Sequence, residues 1–155
     1  MWQRLQTVFL AAVVIIMIVA LFLPQWKYVD SAGTRYEYYP FHYSIYEGET
    51  MTTTYWPYVV TAVLMVAAAT VAVQTIRRYD DRITQMKLAA FNTLLLMGVM
   101  GSIVYFSSRL NDEFSYVGMS RGGLWTVFAA VAFNWVAMRL IRRDERIVRD
   151  SERLR

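Results

Sequence analysis

The side chains with the widest chemical range lie in a segment of 34 residues, 24–57, which also holds the single histidine, His42. A histidine can serve as a base or a metal ligand, but a metal site needs companion ligands at a suitable spacing. The neighbouring carboxylates Glu37 and Glu47 show no such spacing, and the chain contains no Cys. No phosphate-binding glycine loop, nucleophile motif or carboxylate pair is present either. We therefore predict no catalytic residue, no metal and no cofactor. An enzyme built on His42, Glu37 and Glu47 is the weakest of three hypotheses.

Polar residues inside the apolar runs of the chain are few, and none of them is charged in the centre of a run. Proton relays and ion-coupled carriers need ionisable groups at depth, so their absence counts against a pump or an intramembrane enzyme. Asn92 and Asn134 are two of these residues. We predict that they hydrogen-bond between helices. A ligand contact at either residue is the alternative.

Four apolar runs dominate the chain, at about 5–23, 58–76, 88–106 and 122–138. At 1.5 Å per residue each run approaches the 30 Å or so of a bilayer's hydrocarbon core. We predict an all-α membrane protein of one domain, 1–155, folded as an antiparallel bundle of four transmembrane helices. The first run could instead be a cleaved signal peptide. Its length and the absence of a small-x-small site favour a retained anchor.

Segment 24–57 is rich in aromatic residues and predicts a small antiparallel sheet between the first two spans. Alternation places Arg35 and Glu37 on one face of a strand and Tyr36 and Tyr38 on the other. The aromatic rings could pack on one another and on the helix ends, which we favour, or present a binding face. The candidate contacts with a partner or ligand in this segment are Tyr36, Tyr38, His42 and Tyr43.

The basic residues lie mainly at the ends of the apolar runs, which fits membrane orientation better than nucleic-acid binding. With both termini inside, twelve Lys and Arg residues are cytoplasmic and four are exterior, while the acidic residues divide six and six. The positive-inside rule therefore predicts cytoplasmic termini and an extracytoplasmic segment 24–57.

The tail, 139–155, predicts a charged helix that continues the fourth span, with a narrow apolar stripe on one face. Arg146 and Arg149 are candidate contacts with a cytoplasmic protein or with anionic headgroups. The alternative is a solvated anchor that pairs its own charges.

Two motifs carry a family resemblance. The opening MWQRLQT and the closing RRDERIVRDSERLR resemble the two ends of an uncharacterised family of small four-span Bacteroidota inner-membrane proteins. That family is a domain of unknown function, so the resemblance implies a topology and a bacterial inner membrane but no activity and no functional residues. The layout is also similar to the claudin-like tetraspans, in architecture only, because the Cys pair of their first loop is missing.

These observations lead to two main hypotheses. The first is a non-enzymatic integral inner-membrane protein, a structural or accessory component that binds other proteins. The second is a lipid-, quinone- or small-solute-binding protein or carrier, with a cavity bounded by Asn92, Asn134 and the aromatic residues of the sheet. Both predict a bilayer environment and no nucleic-acid partner, and both leave a homo-oligomer open.

Overall fold

A computed structural model describes residues 2–115 and 121–153. Within this part of the chain the protein is mostly helical, with one small sheet inserted between the first and second helices. The helices and strands are α1 (Trp2–Phe22), β1 (Trp26–Val29), β2 (Arg35–Tyr38), β3 (Tyr43–Glu47), β4 (Thr50–Thr54), α2 (Val59–Arg77), α3 (Arg82–Phe114) and α4 (Arg121–Arg153).

The helices pack in a ring, in which each contacts its neighbours in the order α1, α2, α3, α4 and back to α1. At the start of α3, the Gln85 side chain donates a hydrogen bond to the carbonyl of Thr75, near the end of α2. Arg82 donates to the carbonyl of Asp144, late in α4. Because the start of α3 meets the later parts of both neighbours, α3 runs opposite to α2 and to α4.

The interior of the ring is mostly apolar. Large side chains such as Met17, Met65 and Leu96 are fully buried, and small residues such as Ala68 and Ala72 lie between them. Alanine spaced by four residues lets neighbouring helices approach closely. The outer surfaces of the same helices are also apolar, with exposed side chains that include Ile15, Val63, Leu94 and Phe128. Helices that are apolar all round suit a hydrocarbon surrounding.

Four helices are long and apolar enough to cross a membrane, by length and composition, within 5–22, 59–77, 82–114 and 122–147. This confirms four candidate spans, and α4 continues into the tail as predicted. The third helix is longer than its apolar run, because α3 does not end at 106 but runs to Phe114. Ser107 and Leu110 are buried, so the packing of one helix face stabilises α3 in this polar stretch. Ser115 ends it in the left-handed conformation.

The strands form one antiparallel sheet in the order β1-β2-β3-β4, as the sequence predicts. Trp26 pairs with Tyr38, and Tyr38 pairs in turn with Tyr43, so these three rings lie in one row on the same face. Gly33 and Gly48 occupy the turns with positive φ, a conformation that glycine adopts without a steric penalty.

Candidate functional site

One face of the sheet packs against the ends of the helices, and we refer to it as the packed face. It carries the buried rings Trp26, Tyr38 and Tyr43. The Trp26 indole Nε1–H donates to Oδ1 of Asn111 on α3 at 2.7 Å. The Tyr38 hydroxyl hydrogen-bonds the Thr61 hydroxyl on α2 at 2.7 Å. These two bonds fix the sheet to two different helices.

Aromatic contacts complete this packing. Tyr38 meets Phe106 edge to face with a centroid distance of 5.8 Å, and Tyr36 lies 4.5 Å from Phe114. Such ring pairs add about 0.5–1.5 kcal/mol each beyond the area that they bury. Phe114 lies in the stretch of α3 beyond the apolar run 88–106. The extension of α3 thus supplies part of the platform on which the sheet rests.

Three of the predicted contact residues therefore lie on the packed face. Tyr38 is fully buried and Tyr43 is 8% exposed, while Tyr36 is half-buried between Tyr28 and Phe114. Burial raises the pKa of the Tyr38 and Tyr43 phenols, so both stay neutral. These rings serve the internal packing of the sheet, the alternative that the sequence favoured.

His42, the fourth predicted contact in this segment, is half-buried among rings and does not meet Glu37 in a catalytic pair. It stacks on Tyr39 at 5.2 Å and approaches Tyr55 at 6.0 Å. The Glu37 carboxylate forms an ion pair with Lys27 at 3.1 Å and accepts a hydrogen bond from the Tyr39 hydroxyl at 2.9 Å. Among residues 2–115 and 121–153, no three His, Asp or Glu side chains are grouped to hold a metal ion.

The opposite face of the sheet carries a cross-strand row of four residues, which we name the exposed row. Val29 pairs with Arg35, Arg35 with Tyr46, and Tyr46 with Met51, so the row crosses all four strands. Val29 is 58% exposed and Met51 55% exposed. The Arg35 guanidinium lies over the Tyr46 ring, 5.2 Å from its centroid. The row is apolar and aromatic with one ordered cation.

The two asparagines lie together inside the helix ring. Asn92 donates from Nδ2 to Oδ1 of Asn134, and Asn134 donates from Nδ2 to the Ala89 carbonyl and the Thr93 hydroxyl. Both Asn side chains are fully buried. The predicted interhelical hydrogen bond is thereby confirmed. Neither residue lines the two clefts described next.

The first cleft, which we name the aromatic cleft, lies beside the packed face and has a volume of about 590 Å³. Its wall combines aromatic and apolar side chains with a charged rim that includes Arg109 and Glu113. Burial and then the charge of Glu113 raise the pKa of the Tyr58 phenol at its edge. The lining residues are Pro57, Tyr58, Tyr105, Phe106, Arg109, Leu110, Asp112 and Glu113.

The second cleft, which we name the arginine cleft, has a volume of about 570 Å³ and is lined by one stretch of α4. The Arg139 guanidinium lies over the Trp135 ring at 5.4 Å. Arg146, a predicted contact, is one of its lining residues; the Arg149 side chain lies outside the described side chains. The lining residues are Trp135, Val136, Met138, Arg139, Leu140, Arg142, Arg143 and Arg146.

Sequence reasoning missed the exposed row and most of the arginine cleft. The row depends on the register of three strand pairs, although alternation had already placed Arg35 opposite Tyr36. The cleft depends on helical spacing continued across the end of the apolar run. Counting in steps of three and four from Trp135 would have found Arg139, Arg142 and Arg146.

Four helices that could each cross a membrane, joined to one small sheet, are consistent with a multi-pass membrane protein. The family described as "Domain of unknown function (DUF4293)" matches residues 2–154, nearly the whole chain, and the protein belongs to this family. None of the curated proteins matches the chain.

Proposed function

We propose that this protein is a non-enzymatic integral membrane protein of the bacterial inner membrane, a structural or accessory component that binds another protein through the exposed row. The observation that carries the proposal is the composition of that row: exposed Val29 and Met51 flank Arg35 and Tyr46 on a sheet whose other face is packed. Met, Tyr and Arg are enriched at the centres of protein interfaces.

The charge distribution supports a position of this row outside the cytoplasm. Twelve of the sixteen Lys and Arg residues fall on the side that holds both termini, and four fall on the side of the sheet. By the positive-inside rule the termini are cytoplasmic and the sheet is extracytoplasmic. The partner is then an extracytoplasmic protein or the extracytoplasmic part of another membrane protein.

The geometry of the row favours binding over solvation alone. Hydrogen bonds from Trp26 to α3 and from Tyr38 to α2 hold the sheet on the helices, so the row is presented on a rigid support. Stacking on Tyr46 orders Arg35 in advance, which lowers the entropic cost of binding. A fitting partner has an apolar patch with a carboxylate placed to accept from the Arg35 guanidinium.

Photo-crosslinking in living cells tests this proposal. A photoreactive amino acid at Met51 should capture one protein reproducibly. The matched control is Thr52, the next residue of β4, which is also exposed but projects to the other face of the strand. Equal capture from both positions, or no capture from Met51, would contradict the proposal.

The aromatic cleft supports a second candidate, a protein that binds a lipid, a quinone or a small solute. Its volume of about 590 Å³, its aromatic wall and its charged rim suit an amphipathic molecule. The site differs from the expected one, because Asn92 and Asn134 bond to each other away from the cleft. Mass spectrometry of organic extracts would identify such a ligand. Its disappearance in Tyr105→Ala, with the exposed row intact, would support this candidate.

A further inference from the structure

We propose that the arginine cleft on α4 binds the headgroup of an anionic phospholipid. Three of the four arginines that line it, Arg139, Arg142 and Arg146, lie in a row along the helix. The spacing of three and four residues brings them into line. From Arg139 to Arg146 the helix rises about 10 Å, so the three guanidinium groups can reach the phosphate oxygens of one lipid.

The surface on the same face of α4 explains why a lipid fits better than another ligand. Preceding the arginines at the same spacing are Trp125, Phe128 and Trp135, which are 67%, 54% and 52% exposed. The face is therefore apolar up to Trp135 and basic from Arg139 onward. A phospholipid has a matching arrangement, because its apolar acyl chains are followed by a negatively charged phosphate. A soluble protein or a free phosphate would use only the basic half.

A cation–π contact lies at the junction between the two halves. The Arg139 guanidinium rests on the Trp135 ring at 5.4 Å. Indole rings favour the depth of the headgroups, and arginine forms bidentate hydrogen bonds to phosphate. The pair therefore marks the level at which the phosphate binds. A second copy of this chain is a poor occupant of this face, since it would bring arginine against arginine.

Spin-labelled lipids provide the measurement. The full chain is reconstituted in phosphatidylcholine vesicles, and the association of spin-labelled phosphatidylglycerol is compared with that of spin-labelled phosphatidylcholine. We expect phosphatidylglycerol to be preferred. The variant R139Q/R142Q/R146Q should lose the preference by roughly tenfold or more, because each Arg within reach of the lipid phosphate adds about fivefold to the association.

The matched control is R77Q/R78Q/K87Q, which removes the same charge from exposed positions at the other helix ends on the same side of the ring. It should retain most of the preference. An equal loss of the phosphatidylglycerol preference in both variants would show that a general surface potential causes it, and would contradict a binding site in the arginine cleft. So would an unchanged preference in the cleft variant, or displacement of the lipid by inorganic phosphate alone. Circular dichroism of each variant confirms that the helices remain folded.

Discussion

Asn92 on α3 and Asn134 on the neighbouring α4 hydrogen-bond inside the helix ring, at 3.1 Å from Nδ2 of Asn92 to Oδ1 of Asn134, and both side chains are fully buried. Asn134 also donates hydrogen bonds to the Ala89 carbonyl and the Thr93 hydroxyl. Its side chain therefore makes three hydrogen bonds, whereas the Asn92 side chain makes one. The pair joins α3 to α4 at a single level and thereby fixes the register of the two helices.

Asn134→Leu should destabilise the protein more than Asn92→Leu. The first change removes three hydrogen bonds and the second removes one, and an interhelical bond in a membrane contributes about 0.6 kcal/mol, with a maximum near 1.7. We expect losses of about 1–2 and about 0.5–1 kcal/mol. Thermal unfolding in mild detergent measures both.

The double variant N92L/N134L should cost less than the sum of the two, since the shared bond is counted twice. Ser102→Ala is the control, because its hydroxyl bonds only within α3, to the Val99 carbonyl. A strictly additive double variant would contradict the direct pairing.

Gly123→Ala should destabilise the contact between α4 and the end of α1. A methyl group at Gly123 would collide with the buried Gln25 carboxamide, which donates from Nε2 to the carbonyls of Ala20 and Leu23. Overpacking of this kind costs about 1–3 kcal/mol. Unfolding in detergent measures the loss.

The neighbouring change Gly122→Ala provides the control, because a methyl group there meets nothing within 4 Å. The second change Gln25→Ala removes the side chain that the new methyl group would meet. It should recover part of the stability lost in Gly123→Ala, although it also removes the two hydrogen bonds that cap α1. If Gly122→Ala and Gly123→Ala were equally mild, the close contact would be disproved.

Tyr38→Phe should loosen the sheet from α2. The change leaves the buried Thr61 hydroxyl without its bond at 2.7 Å, and the loss of such a partner costs about 1–3 kcal/mol. Hydrogen exchange of the β2 and β3 amides should rise. Tyr46→Phe, on the other face of the sheet, should leave exchange on the packed face unchanged. Equal hydrogen-exchange rates in both variants would contradict a role of the Tyr38 hydroxyl in holding the sheet on α2.

Alkaline pH should weaken the sheet. Burial first, and then the hydrogen bond to Glu37, raises the pKa of Tyr39 to about 12 from an ordinary value of 10.0. A raised pKa means that the folded state holds the proton more tightly, so this stability is complete below pH 10 and is lost between pH 10 and about 12. The difference in tyrosinate absorbance between the wild type and Tyr39→Phe, measured as a function of pH, reports the titration of Tyr39. Its midpoint should lie near pH 12. A midpoint near 10 would contradict the burial of this phenol.

Much of the fold could be predicted from the residue pattern because membrane spans and aromatic strands leave strong local signals. The four candidate spans, the sheet and the interhelical hydrogen bonding of Asn92 and Asn134 all followed from composition, alternation and the cost of a lone polar group in hydrocarbon. The end of α3 could not be predicted in this way. Its last turns are polar, and the burial of Ser107 and Leu110 together with the packing of Phe114 against Tyr36 shows why the helix continues.

The candidate sites were predicted less well, for a physical reason. Aromatic residues in a sheet serve either packing or binding, and only the register and the burial of each ring separate the two. Tyr38 and Tyr43 lie inside, whereas Tyr46, which the sequence did not single out, lies beside Arg35 on the other face. Local alternation identifies two faces of a strand but does not say which one the helices cover.

Thiol labelling in native membranes tests the central claim most directly, and it is a clean method here because the chain contains no Cys. Single cysteines replace Met51 in the exposed row, Ser31 in the exposed turn between β1 and β2, and Arg146 on α4. A membrane-impermeant maleimide added from outside the inner membrane should label S31C quickly and R146C only after the membrane is opened. M51C should be labelled slowly in native membranes and quickly once the protein is purified, because the proposed partner would cover it. Equal rates for M51C in both states, or labelling of R146C from outside, would contradict the account.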